Sequence, residues 1–117
     1  MNARALPLRP MRDLLHQLSR LPVGDDGVTD LSACGGSSLV AIAQDAETTL
    51  STIHQGLGAI GHLLAHSAVP VEDGTIGADS LESLGFLMAE LGDLAAACMT
   101  LAARCRRAAG PDDERAG

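Results

Sequence analysis

The chain has 117 residues, 46% of them hydrophobic, and a formal net charge of −7, with Phe86 its one aromatic side chain. That length suits one domain rather than two, and the lack of Trp and Tyr leaves the core to Leu, Ile, Val, Met, Ala and Cys. Acidity without stacking aromatics argues against direct nucleic-acid binding.

Residues 1–36 read as an N-terminal arm. Pro10 suits the first turn of a short amphipathic helix, where its missing N–H costs nothing, and Met11, Leu14, Leu15, Leu18 and Leu21 then form one stripe. Pro22 and Gly24 end it, and the Gly- and Asp-rich stretch up to Gly36 reads as a loop with one helical turn around Asp30 to Ala33. Cys34-Gly35-Gly36-Ser37-Ser38 could offer backbone N–H groups to an anion, but no Lys completes a phosphate loop, and a serine N-cap explains the same residues.

Residues 37–109 read as a long antiparallel helical hairpin, which makes the fold class all-α. Leu39, Ala43, Ala46, Leu50, Ile53, Leu57, Ile60 and Leu64 recur in steps of three and four, the spacing that keeps one helix seam against a partner. Pro70 stops that helix. After a connection over Val71 to Ala78, Asp79 and Glu82 have the spacing of a capping box, and Leu81, Leu84, Met88, Leu91, Ala95, Cys98, Ala102 and Cys105 form the second seam. Each helix would be about 45 Å long at 1.5 Å per residue. Small residues form two further stripes, Gly58, Gly61, Ala65 and Ala68 before the turn and Gly85, Ala89, Gly92 and Ala96 after it, which predict a close approach of the two backbones. Gly110 and Pro111 end the second helix, and residues 110–117 read as a frayed, disordered tail.

Leu63, Leu87, Leu94 and Leu101 widen the apolar face beyond what one partner helix covers, which predicts a homodimer that completes a four-helix bundle. Charge is segregated as well. All eight basic residues are Arg, four before residue 21 and four after residue 103, while eleven carboxylates lie from Asp25 to Asp93. Such a surface favours a basic partner, with Glu90 and Asp93 at its centre. The partner expected first is a second copy, whose Arg104, Arg106 and Arg107 would meet these acids; a basic protein is the other candidate.

His62 and His66 are one helical turn apart, a spacing that lets two imidazoles share a metal, and the hairpin register brings Glu82 towards them. No Glu lies between the histidines as in a metalloprotease helix, and no nucleophile has a local base, so the chain reads as an interaction or regulatory module and not an enzyme. No cofactor is expected. The alternative is a metal-binding bundle or enzyme that uses His62 and His66. Three cysteines, an odd number, fit a reducing cytoplasm better than a disulfide scaffold. The first 22 residues lack the apolar core of a secretory signal, and Asp45, Glu47, His54, Glu90 and Asp93 interrupt the longest apolar stretches, so neither export nor a membrane location is expected. Arg used to the exclusion of Lys, with abundant Ala and Gly, points to a GC-rich bacterial source.

Overall fold

The computed structural model describes the backbone of residues 9–116 and the side chains of residues 9–110. It is an all-α hairpin. Helix α1 (Pro10–Leu18) is followed by a loop with a 3-10 turn at Leu31–Ala33, then by α2 (Gly36–Ala65), a short α3 (Ala68–Glu72) and α4 (Ala78–Ala116). Helices α2 and α4 pack along each other, joined through α3. We call the end that carries α1 the head and the end that carries α3 the tip.

The two seams meet as their spacing predicts, but they are sealed unequally. At the head Leu39, Ala43, Ala46, Cys98, Ala102 and Cys105 are all buried, together with Ile42, Leu14 from α1 and Leu31 from the 3-10 turn. Towards the tip Leu57, Ile60, Leu64, Leu81, Leu84, Met88 and Leu91 are only half-buried, because two helices alone cannot surround a seam. Three layers meet at the head and two at the tip.

Close packing of the hairpin comes from Ala43, Ala46, Ala102 and the two buried thiols, not from the glycine stripes. A Cβ built on Gly58, Gly61, Gly85 or Gly92 would meet nothing within 4 Å. The expected small-residue contact is therefore absent. The glycines flank the seam rather than occupy it, one residue away from a position that could have brought them together. They do not kink α2 either, which is one helix from Gly36 to Ala65.

Helix ends also differ from the expected caps. Helix α2 starts at Gly36 with Gly35 as an N-cap that offers no side chain, so Ser37 and Ser38 fall inside its first turn. Helix α4 starts at Ala78, which puts Asp79 in the first turn, where its charge meets the helix dipole without capping an N–H. Helix α2 ends at Ala65, before Pro70, which instead lies within α3. Gly110 breaks α4 at φ 79 and ψ 162, a conformation open to glycine, after which helical backbone resumes to Ala116 in place of the expected frayed tail. The sequence Pro111-Asp112-Asp113-Glu114 explains the restart: proline suits a first helical position and acids suit a first turn.

One buried group at the head is poorly served. Thr49 is 1% exposed and its hydroxyl has no hydrogen-bond partner among the described residues. A buried, unpaired hydroxyl loses its water without replacement. Thr49→Val, which removes the hydroxyl at nearly constant shape, should raise stability by about 1 kcal/mol in thermal or urea unfolding; no change would mean that the hydroxyl is hydrogen-bonded in solution.

Candidate interaction surface

The seam has two flanks, and each has a different fate. Glu47 and Arg106 each follow a seam residue by one, and they meet across the first flank: Arg106 Nε donates to Glu47 Oε2 at 2.8 Å and Nη2 donates to Oε1 at 2.6 Å. This two-pronged hydrogen bond holds the Glu47 carboxyl below its usual pKa, with slight burial opposing and the guanidinium charge assisting. Arg106 is thus engaged within its own chain.

The second flank carries the residues that precede seam positions. On α2 these are Ile42, Thr49, Gly56 and Leu63, and on α4 they are Leu87, Leu94 and Leu101, at seven-residue steps that keep them in line. Helix α1 covers the head half of this flank. Gln17 Nε2 donates to Asp45 Oδ2 at 2.7 Å, Leu14 packs in the core cluster with Ile42, and the start of α1 shares a shallow hollow with Thr52. Helix α1 therefore runs antiparallel to α2 and its first turn points to the tip.

Past that first turn the flank is bare. Leu63 is 72% exposed, Leu87 51% and Leu94 42%, with Phe86 exposed on the outer side of α4. Leu101, expected in the same interface, is instead half-buried against the head core. The tip half of the hairpin is acidic. Between residues 48 and 103 there are six carboxylates, Glu72, Asp73, Asp79, Glu82, Glu90 and Asp93, and no Arg or Lys. All six are exposed. Asp73 also closes the tip turn, accepting from the Thr75 N–H at 2.9 Å and its hydroxyl at 2.6 Å, bonds that lower its pKa.

His62, His66 and Glu82 are all exposed near the tip. The His66 ring nitrogen Nδ1 lies 2.9 Å from the His62 carbonyl, so this imidazole closes the last turn of α2. Among the described residues no three metal-ligating side chains come together. A cleft of about 330 Å³ lies at the other end, lined by Gln17, Arg20, Leu21, Cys34, Ser38 and Ile42 among others. It brings the Arg20 side chain near the start of α2, which the reading of the Cys34 to Ser38 stretch did not foresee.

The thiols divide by position. Cys98 and Cys105 are buried, and burial pushes both pKa values up, with Arg104 partly opposing this at Cys105. Cys34 is half-buried in the loop. In native protein Cys34 should react with a maleimide well before the other two, whose alkylation should follow the opening of the head. Mass spectrometry over time checks this, and equal rates for all three would refute the head packing.

One property of α4 bears on location. Over Ala78–Gly110 it is long and apolar enough, by length and composition, to cross a membrane, with a mean hydropathy of 1.5 in its most apolar window, of which 11% is buried. Glu90 and Asp93 fall within that helix, and a charge at a bilayer centre costs about 2.5–3.5 kcal/mol on insertion scales.

The fold and surface together define a class: a helical hairpin whose head is closed by an N-terminal helix and whose tip half carries an uncovered apolar strip with acidic surroundings. Comparison with protein families, with curated proteins and with solved structures finds no match to this chain.

Proposed function

We propose that the protein is a small cytoplasmic protein-interaction or regulatory module of bacterial type, which acts as a homodimeric helical bundle with an acidic outer surface and has no catalytic role of its own. The observation that carries this reading is the bare strip of Leu63, Leu87 and Leu94 on a flank that α1 covers elsewhere. Exposed apolar residues in line, bordered by charge, have the composition of an interface centre and rim. The acids of the tip half would steer a basic partner and speed its encounter.

Sedimentation at micromolar concentration tests the assembly. The expected mass is that of a dimer, and Leu87→Ser with Leu94→Ser should weaken it roughly a hundredfold by removing two apolar anchors. A monomer at all concentrations would overturn the homodimer. The metal reading of His62, His66 and Glu82 has its own check in the metal content of the purified protein: stoichiometric zinc or iron that disappears in His62→Ala with His66→Ala would favour it over an interaction role. For an external target, binding to a purified basic protein should be lost in Glu90→Lys with Asp93→Lys while the dimer persists.

A further inference from the structure

The strip, its surroundings and α1 together restrict how a second copy can sit, and this rests on the dimer reading above. The apolar part of the bare flank is Leu63, Leu87 and Leu94.

We propose that two copies pack antiparallel through the tip halves of this flank, each tip lying end-on against the first turn of the other copy's α1. Two independent features select this arrangement. The first is shape. Helix α1 forms an outer layer over the head, and a helix with its side chains is about 10 Å thick. In a parallel pair the two α1 helices would face each other and hold the strips apart. In the antiparallel pair each α1 stands beyond the end of the partner's tip, in the same layer, and the two strips meet in reversed order, with Leu63 near the two-fold axis and Leu87 of one copy towards Leu94 of the other.

The second feature is charge. In a parallel pair Glu72, Asp73 and Asp79 at the tip end would lie beside their own copies. The antiparallel pair brings them to the start of the other copy's α1, where Arg9 and Arg12 are accompanied by one carboxylate, Asp13. Arg12 bonds Asp13 at 3.1 Å, but both side chains are more than one third exposed, so that pair leaves room for a second acid. The dimer sets tip-end acids against the arginines at the start of α1, which serves as both a stop and a counter-charge. This gives the amphipathic arm a role that covering the head alone does not require.

Site-directed cross-linking in the full chain tests the arrangement, with Cys34→Ser to remove the accessible thiol. Arg9→Cys and Thr75→Cys are made singly and together and treated with a short bis-maleimide. A covalent dimer from the double variant, with little from Thr75→Cys alone, is the expected result. Because Arg9→Cys removes one of the proposed charges, Met11→Cys with Thr75→Cys repeats the test with both arginines in place. Efficient cross-linking of Thr75→Cys alone would show tip beside tip and overturn the proposal. A dimer by sedimentation that none of these variants cross-links would overturn the arrangement but leave the dimer standing, and a monomer would remove both. In the same protein Arg9→Glu with Arg12→Glu should weaken the dimer about tenfold at low salt and much less at high salt. Flotation of the protein with anionic lipid vesicles in place of dimer formation would assign the strip to a membrane and refute the second copy.

Discussion

Leu39→Ala should cost about 2–5 kcal/mol, the range for deleting a buried leucine side chain from a packed core. Leu39 is 1% exposed and lies in the head cluster with Ile42, Ala43 and Cys105. Both its transfer energy and the cavity it leaves are therefore felt in full. Leu63→Ala, the same chemical change on a side chain that is 72% exposed, should leave the stability of the monomer nearly unchanged. Urea unfolding of the two variants at a concentration below that of dimer formation measures the contrast. Similar losses at both positions would mean that tip and head are sealed alike, contrary to the observed burial.

An effect of similar size and opposite sign should come from the glycines. Gly58, Gly61, Gly85 and Gly92 lie inside helices, none has a positive φ, and an added Cβ at each meets open space. Glycine in a helix interior costs roughly 0.5–1 kcal/mol relative to alanine through the entropy of the unfolded chain. Replacing all four by alanine should therefore raise stability by about 2–4 kcal/mol, provided the sites are independent. Gly56 is left out because it lies on the bare flank, where a methyl group would also alter the proposed dimer. Thermal unfolding of the single and combined variants checks the sum. A loss at Gly61, Gly85 or Gly92 would show that the other flank, too, is covered in the working assembly.

A feature is legible in the sequence when it is written in periodicity and hidden when it exists only in three dimensions. The two seams were readable, because a three- and four-residue repeat leaves little choice of face, and so was the exposure of Leu63, Leu87 and Leu94. The glycine stripes misled because small residues at helical spacing state which residues share a face but not whether that face touches another. Helix starts shifted by a residue or so, enough to move Ser37, Ser38 and Asp79 from caps into first turns. The intrachain contacts of Arg106 and Leu101 have no local signature because they depend on register: Glu47 lies 59 residues from Arg106, and only the folded hairpin brings them together. The direction of α1, on which the antiparallel arrangement depends, has no local signature. It follows from Gln17 meeting Asp45 and from the first turn of α1 lying beside Thr52.

The sealed head and thin tip also determine how the chain can reach its fold. A helical hairpin ordinarily zips from its turn, gaining a contact for each small loop it closes. Here the turn end buries least and its helices are weakened by glycine, so early zipping is poorly rewarded. The well-packed pairs, such as those that bring Ala43 and Ala46 to Ala102 and Cys105, come only after a loop of about 60 residues has been closed, before which the entropy cost is not offset. Folding should therefore be slow for an all-helical protein of this size. The same logarithmic law makes the tip permissive: doubling the intervening length adds only about 0.6 kcal/mol to closure. Whole heptads could be gained or lost in matched pairs near α3 without disturbing the head, so the reach of the hairpin can vary independently of the core that holds it shut.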